Sequence, residues 1–477
     1  MIDFDLNPKE RANIQQEVFQ AMETFIENTA HLDVTKEPNI TQIQTHAQQY
    51  NFDKAIDPKI VINTVIEGLR KYTVHTPHPK YFGLFNPRAN FLSTVADYIT
   101  ATFNPQLAAW SHAPYAVEIE RFLIKEFGQK FGYRSETIDG TFCTGGAESN
   151  LTAVLCALNN HFKDFSTEGI RGIAKRPIIY CSSEAHHSIA KAAKTTGLGT
   201  NSVVAIPVGA DLTMDTTLLI QQIASDKKAG YEPLMIVGTA GTTGAGAIDD
   251  LSTIAAIAKS NQLWFHVDAA YGGAVTISSE FKNWISGVEQ SDSITWDIHK
   301  WFSVPMGTSL FLTSNKKVLH QTFGVSTKYM PKDGDPDKII DPYIHSIQWS
   351  RRFNGLKLYL PLAVFGWKGY ETVIHHQIEI GNALRKGLIE RGWTIENNSE
   401  LPIVCFTHPT LKGKKGAIEK ITAAIVNSGK AWISVYPING QPTFRACITN
   451  FSSALADVQT LINLLDSYKE NSNLPKK

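Results

Sequence analysis

Short apolar runs alternate with helical stretches between residues 140 and 315, and this alternation constrains the fold more than any other feature. The runs are rich in β-branched and aromatic side chains; they span residues 177–181, 202–206, 234–238, 264–268, 293–296 and 309–312. Near-continuous apolar strands separated by helices indicate a mostly parallel sheet with helices on both faces. Ligands bind beyond the carboxyl ends of such strands, so we expect the chemistry there.

The chain on either side of this region has a different pattern. Residues 1 to about 85 carry apolar side chains at helical spacing, for example Ile14, Val18 and Met22. This helical segment is too short to bury its own apolar face, and we expect it to pack on a second subunit. After residue 360, helices and short strands predict a small α+β unit. We therefore expect an α/β protein of three units, which span residues 1–85, 86–360 and 361–477.

The balance of charges and the cysteine count argue against several classes of function. Lysine plus arginine equal aspartate plus glutamate, at 45 each, so no basic surplus attracts nucleic acid or an anionic membrane. Five cysteines, none in a CxxC pair, argue against a disulfide framework and a zinc site. No apolar run approaches the roughly 20 residues of a membrane span, and the N-terminus lacks the apolar segment of a signal peptide. We expect a cytoplasmic protein with a small-molecule partner.

A lysine with aromatic neighbours follows the apolar run at 293–296. The sequence there is Trp296-Asp297-Ile298-His299-Lys300-Trp301. A lysine amine in apolar surroundings can act as a nucleophile toward an aldehyde. A lysine that merely ends a strand is the alternative, and the choice between the two depends on the segments upstream.

A carboxylate ends the run at 264–268. Asp268 precedes small residues, Ala269 and Ala270, which allow a ligand to approach closely. A carboxylate in this place can pair with a protonated pyridine nitrogen, and a cationic ring can accept the electrons of a broken bond at Cα. The residue could equally cap a turn or a helix.

Two further segments suit a flat, phosphorylated ligand. Gly145 and Gly146 join a strand to an apolar helix, where free N–H groups and the helix dipole favour an anion. His186 follows the run at 177–181, and its ring could stack on a cofactor. Metal binding is the rival interpretation, but no HExxH or similar cluster accompanies it, so we expect no metal. The glycines of residues 241–249 do not form a GxGxxG fingerprint.

Taken in order, these motifs resemble the group II pyridoxal-phosphate decarboxylases of fold-type I. That family includes the aromatic-L-amino-acid, glutamate, histidine and cysteine-sulfinate decarboxylases. The resemblance extends from His78-Pro79-Lys80-Tyr81-Phe82 to Phe444-Arg445. It implies an aspartate aminotransferase-like fold, pyridoxal 5′-phosphate as the cofactor, α-decarboxylation of an L-amino acid, and a homodimer with shared active sites.

The resemblance also implies roles for individual residues. Lys300 is the lysine that binds the cofactor covalently, Asp268 pairs with the ring nitrogen, and His186 stacks on the ring and orients the substrate carboxylate. The other residues expected at the cofactor are Gly146, Ala147, Glu148, Ser149, Thr243, Ala270, Asp297 and His299. Asp297 departs from the asparagine of the animal members. If ionised it would repel phosphate, so its direct contact with the cofactor is an open question.

The reaction and the substrate depend on further residues. Tyr329 lies in a polar stretch, residues 323–335, that we interpret as a lid. In the family a tyrosine at this place returns a proton to Cα across the dimer interface; an exposed loop tyrosine is the alternative. Aminotransferases and lyases share the fold and stay open as alternatives.

The candidate substrate residues point in two directions. Phe85 and Trp110 suit an aromatic or bulky side chain, whereas Arg88 and Gln106 could recognise an acidic one. The small Ala108 is unlike the bulky residue typical of aromatic decarboxylases. For Arg445, the resemblance suggests a contact with the substrate α-carboxylate, and a structural ion pair is the alternative. We favour an aromatic or bulky L-amino acid and keep glutamate, aspartate or cysteine sulfinate as the alternative.

Overall fold

The computed structural model describes residues 4–86, 88–325 and 339–470. Its N-terminal segment contains three helices: α1 (Pro8–Asn28), α2 (Ile40–Ala47) and α3 (Pro58–Tyr72). Asn7 starts α1 with a capping box, because its side chain and that of Glu10 each accept the other's backbone N–H. All three helices are fully described and none contains a buried residue. Their apolar side chains, such as Phe19 and Leu69, are exposed.

A seven-stranded sheet forms the centre of the molecule. Its strands are β1 (Asp139–Cys143), β2 (Pro177–Ser182), β3 (Val203–Ile206), β4 (Glu232–Thr239), β5 (Trp264–Asp268), β6 (Ser293–Trp296) and β7 (Ser309–Thr313). Their order is β1-β7-β6-β5-β4-β2-β3, and β7 alone runs antiparallel to the other six strands of this sheet. The predicted mostly parallel sheet is confirmed.

Helices cover both faces of this sheet. They are α4 (Phe91–Phe103), α5 (Pro114–Lys130), α6 (Gly146–His161), α7 (Phe165–Glu168), α8 (Ser188–Thr195), α9 (Thr216–Lys228), α10 (Leu251–Asn261) and α11 (Val318–Phe323). Side chains alternate between the faces: Ile178 and Tyr180 join the core with α5, α9 and α10, whereas Ile179 and Cys181 join the core with α6, α8 and α11. Both faces are therefore apolar, as the near-continuous apolar runs predicted.

The C-terminal part has its own sheet and core. Helix α12 (Leu356–Glu390) crosses the predicted boundary at residue 360 and is kinked at Gly366, whose φ is 63°. The remaining elements are β8 (Thr394–Ile395), β9 (Ile403–Thr407), α13 (Ala417–Asn427), β10 (Ser434–Ile438), β11 (Gln441–Cys447) and α14 (Leu455–Glu470). The four strands form an antiparallel sheet in the order β10-β11-β9-β8, which confirms the small α+β unit. The exact limits of the three units stay a prediction. Among the described helices, none is long and apolar enough to cross a membrane.

Candidate active site

The predicted site residues lie just beyond the carboxyl ends of the parallel strands. Asp268 is the last residue of β5, Asp297 follows β6, and Gly145 follows β1. His186 lies between β2 and α8. Because parallel strands end at the same edge of a sheet, this arrangement brings the four segments together.

Lys300 lies in a tight loop after β6. Its Nζ is 3.0 Å from Oδ2 of Asp297 and 5.2 Å from the centre of the Phe85 ring. The loop is held at Ser303, a non-glycine residue with a φ of 55°. The carbonyl of Ser303 accepts from both the backbone N and Nδ2 of Asn90, at 2.7 and 2.9 Å. These bonds fix the loop that presents the lysine amine.

Asp268 is buried but well supplied with hydrogen-bond donors. Only 5% of the residue is exposed. Its Oδ1 accepts from the backbone N of Ala270 at 3.1 Å, and its Oδ2 accepts from Nδ2 of Asn150 at 2.9 Å. Donors of this kind stabilise the ionised form of a carboxylate.

His186 is held by the first residue of α8. Its Nδ1 lies 2.8 Å from Oγ of Ser188 and accepts from the backbone N of Ser188 at 3.2 Å. Burial lowers the pKa of His186; the charge of Asp268 opposes this effect and that of Lys300 adds to it. A neutral ring whose Nδ1 accepts hydrogen bonds is therefore the form expected near pH 7.

The start of α6 lies at the same edge of the sheet and leaves room for an anion. A Cβ built on Gly146 would lie 2.8 Å from Oδ2 of Asp297, so a larger residue here would displace that carboxylate. The first turn of a helix leaves N–H groups unpaired, and these suit a phosphate. Ala147 is exposed at this end, and the buried Ser149 accepts from Oγ1 of Thr295 at 2.8 Å.

Glu148 faces its own loop. Its Oε2 accepts from the backbone N and Oγ1 of Thr144, at 2.9 and 2.6 Å, and its Oε1 accepts from Nε2 of Gln348 at 2.7 Å. These bonds occupy both carboxylate oxygens with protein donors.

Asp297 and His299 precede the lysine by three residues and by one residue. Burial favours the neutral form of Asp297, but the charge of Lys300, with smaller contributions from His299 and from hydrogen bonds, lowers the pKa of Asp297. Its Oδ1 is buried and has no hydrogen-bond partner in the described part of the chain. Burial lowers the pKa of His299, whose Nδ1 lies 2.6 Å from the carbonyl of Thr308.

Arg445 connects the C-terminal sheet to this edge. Its Nε donates to the carbonyls of Thr243 and Gly244, at 3.1 and 2.9 Å, and its Nη1 donates to that of Gly83 at 2.8 Å. The guanidinium lies 5.3 Å from the centre of the Phe85 ring. Its Nη2 is buried and lacks a partner among the described residues. A carboxylate would satisfy that N–H group.

Two predicted substrate residues contact other parts of the chain. Arg88 donates from Nη1 to Oγ of Ser452 at 3.3 Å, and Trp110 donates from Nε1 to Oε1 of Glu118 at 2.9 Å. These contacts do not include Lys300 or its neighbours. Tyr329 lies outside the described residues, so its predicted role, like the other assigned roles, stays a prediction.

The arrangement fits pyridoxal 5′-phosphate. It provides an amine for an aldehyde, a buried carboxylate for a pyridine nitrogen, and a helix start for a phosphate. The unpaired Oδ1 of Asp297 and Nη2 of Arg445 show that the described side chains do not complete the hydrogen bonding of this edge.

Comparison with known proteins agrees with this chemistry. The family model described as "Pyridoxal-dependent decarboxylase conserved domain" matches residues 38–408. The chain belongs to this family. It is therefore a pyridoxal-phosphate-dependent carboxy-lyase that acts on amino acids.

Solved structures of decarboxylases share the fold over nearly the whole chain. The crystal structure of mouse CSAD is 25% identical with a TM-score of 0.91, and the match covers 97% of this chain and 99% of that one. The glutamate decarboxylase domain of the Vibrio parahaemolyticus diaminobutyrate-pyruvate transaminase and L-2,4-diaminobutyrate decarboxylase is 25% identical, with a TM-score of 0.83 and coverage of 98% and 97%. Oryza sativa TDC, solved with PLP and tryptamine, is 20% identical; its TM-score is 0.92, its coverage is 98% and 99%, and it supports the fold alone.

Several residues of the site had no role assigned from the sequence. Asn150 and Ser188 support Asp268 and His186, and Tyr271 stacks on Phe85 with ring centres 4.3 Å apart. Asn150 lies four residues after Gly146, on the same side of α6. That spacing from Gly146 was the available signal.

Proposed function

We propose that the chain catalyses α-decarboxylation of an L-amino acid with an aromatic or other bulky side chain, which yields the amine and carbon dioxide. The observation that carries the proposal is Phe85, which is 8% exposed and lies beside both Lys300 and Arg445. An aromatic wall next to the reactive amine suits an apolar side chain. Arg88, the candidate for an acidic side chain, contacts Ser452 instead.

For each described residue of the site we propose a role that its surroundings support, and the role of Tyr329 is the one that the family implies. When bound, pyridoxal phosphate accepts the electron pair of the bond that breaks at Cα. Lys300 holds the cofactor, and the ionised Asp268 keeps a proton on the ring nitrogen. His186 packs on the ring and orients the substrate carboxylate, while Nη2 of Arg445 donates to that carboxylate. Tyr329 donates the proton that replaces carbon dioxide on Cα.

The phosphate of the cofactor binds at the start of α6. The residues proposed around it and the ring are Gly146, Ala147, Ser149, Thr243, Ala270 and His299, with Glu148 holding the loop. Asp297 is ionised next to the lysine, and we propose that it serves the lysine and does not contact the phosphate.

A second candidate substrate is an acidic amino acid. The chain is 25% identical to mouse CSAD, a cysteine sulfinate decarboxylase. The unpaired Nη2 of Arg445 is equally suited to a carboxylate on the substrate side chain. For an acidic substrate, Arg445 would have to bind the carboxylate of the substrate side chain.

A substrate screen tests the proposal. The holoenzyme is incubated with the twenty L-amino acids, cysteine sulfinate, ornithine and 2,4-diaminobutyrate, and carbon dioxide release is measured. Release from an aromatic or bulky amino acid, lost in Lys300→Ala together with the visible absorbance of the bound cofactor, supports the proposal. Release only from an acidic amino acid supports the second candidate. Formation of a keto acid without carbon dioxide would indicate an aminotransferase and contradict both.

We also propose that the enzyme is a cytoplasmic homodimer with shared active sites. The exposed apolar side chains of α1 and α3, among them Phe19, Met22 and Leu69, suit a surface that a second copy covers. Five free cysteines suit a reducing compartment.

Mixing two inactive variants tests the sharing of active sites. In heterodimers of Lys300→Ala and Tyr329→Phe, one of the two sites combines an intact lysine with an intact tyrosine. Random mixing restores about a quarter of the wild-type activity if the sites are shared across a C2 dimer. Mixtures that stay inactive contradict shared sites, and a fully active monomer in sedimentation contradicts the dimer.

A further inference from the structure

A buried asparagine on α6 joins two of the residues that serve the cofactor. Asn150 is 1% exposed and lies one helical turn after Gly146. Its Nδ2 donates to Oδ2 of Asp268 at 2.9 Å and to Oγ of Ser188 at 2.7 Å. We propose that Asn150 is a positioning residue for decarboxylation, because it keeps the negative charge on Asp268. The inference rests on the role of Asp268 in the proposed function.

The amide of Asn150 has one orientation that satisfies its neighbours. An ionised carboxylate has no hydrogen to donate, so the Nδ2 group, and not Oδ1, faces Asp268. Ser188 then accepts from Asn150 and can direct its own hydroxyl hydrogen to Nδ1 of His186, 2.8 Å away. The backbone N of Ser188 donates to the same Nδ1. With two donors at Nδ1, a neutral His186 carries its hydrogen on Nε2.

A series of hydrogen bonds leads to Asn150, and each bond in it donates toward Asp268. Oδ1 of Asn150 lies 2.9 Å from Nε2 of His266, which donates because Oδ1 can only accept. Burial lowers the pKa of His266 to about 4, so at neutral pH its Nδ1 accepts, from Oγ of Ser293 at 2.8 Å. Nε1 of Trp264 donates to that Oγ at 2.9 Å. Each bond polarises the next, and the series ends on the carboxylate of Asp268.

This series determines where a shared proton resides. In a site of low dielectric, a carboxylate and a pyridinium can become a neutral pair when the proton moves to the carboxylate. Donors to the carboxylate oppose that transfer, because they stabilise its charged form. Asn150 thus favours the proton on the ring nitrogen, the state in which the ring withdraws electrons. Its loss is expected to slow bond breaking more than substrate binding.

The test uses holoenzyme reconstituted with pyridoxal phosphate that carries ¹⁵N in its ring. The variants are Asn150→Ala and Asn150→Leu, whose side chain has nearly the shape of asparagine but carries no donor. Asn159→Ala is the matched control on α6, since among the described residues Nδ2 of Asn159 bonds the carbonyl of Leu155, at 2.9 Å, and no group of the site. In both Asn150 variants we expect kcat for the substrate found in the screen to fall about 10- to 100-fold, with KM within about threefold. The ring-nitrogen signal is expected to move toward the unprotonated form, and the control changes neither quantity.

Two more variants keep the outcome decisive. Ser293→Ala interrupts the series without touching Asp268 or α6, so it tests the inference even if the Asn150 variants do not fold; a smaller shift in the same direction is expected. An unchanged ring-nitrogen signal in the folded Asn150 variants, or in Ser293→Ala where they do not fold, overturns the inference, whether or not kcat falls. Asp268→Asn separates the two proposals. If Asp268→Asn leaves the ring-nitrogen signal unchanged, the proposed role of Asp268 is wrong. If Asp268→Asn moves this signal and the other variants do not, only the proposed role of Asn150 is wrong.

Discussion

Nζ of Lys300 lies 3.0 Å from Oδ2 of Asp297, a residue three positions earlier in the same loop. The ion pair is largely enclosed, with 18% of the lysine side chain and 5% of the aspartate side chain exposed. The second oxygen of Asp297 is buried without a partner in the described chain. Asp297 therefore neutralises the lysine at the edge where a phosphate must also bind.

Asp297→Asn is expected to strengthen the binding of pyridoxal phosphate. The substitution keeps the shape but removes a negative charge near the start of α6, where the cofactor brings its own negative charge. Removal of a charge repulsion of about 1 kcal/mol, the order expected at an edge that solvent screens, lowers the Kd about fivefold. Equilibrium dialysis of the cofactor measures the change.

Asp250→Asn is the matched control, because its carboxylate caps α10 in an exposed position. It is expected to leave the Kd unchanged. Weaker cofactor binding in Asp297→Asn would contradict the prediction and would indicate a favourable contact between Asp297 and the cofactor.

Arg445→Lys is expected to raise KM for the amino acid about 10- to 100-fold with a smaller change in kcat. A lysine cannot bond the carbonyls of Thr243, Gly244 and Gly83 and still present an N–H group to a carboxylate. The loss of one charged hydrogen bond, about 1.5–3 kcal/mol, accounts for this range. Initial rates of carbon dioxide release measure both constants. Arg391→Lys, which alters an exposed pair with Asp466, is the control, and equal effects in the two variants would contradict the prediction.

Those features of the fold and the site that follow from the order of apolar and polar residues along the chain could be predicted from the sequence. The strands of the large sheet coincide with apolar runs; Asp268 ends one of these runs, and Lys300 lies four residues after another. Contacts made by packing could not be predicted in this way. Arg88 and Trp110 lie in segments expected to wall the pocket, but their side chains bond Ser452 and Glu118 because those elements pack beside them. The link from Asn150 to Asp268 likewise arises only where α6 packs on β5.

Arg351→Ala is expected to destabilise the fold by about 3–5 kcal/mol. Nη1 of Arg351 donates to Oε2 of Glu120, and both side chains are buried. Burial raises the pKa of Glu120 although Arg351 opposes this shift, so the truncation leaves an unpaired acid in the interior. Chemical denaturation measures the change. The adjacent Arg352→Ala removes a partly exposed pair with Asp97 and is expected to cost at most about 1 kcal/mol; similar losses in the two variants would contradict the prediction.

The fold is expected to lose stability as the pH falls from 6.5 toward 4, in part because of His266. Its side chain is fully buried, and burial lowers its pKa from 6.5 to about 4. In this interval the unfolded chain binds a proton on this residue and the folded chain does not, so acid favours the unfolded state. Between pH 7 and pH 4.5 the loss is on the order of 2–3 kcal/mol.

Urea denaturation at the two pH values measures this loss in the wild type and in His266→Gln, whose side chain does not titrate. The variant is expected to be less stable at pH 7, because glutamine cannot reproduce the bonds to both Asn150 and Ser293. Its stability is nevertheless expected to fall less on acidification. An equal fall in both proteins would mean that folding does not lower the pKa of His266, and it would contradict the prediction.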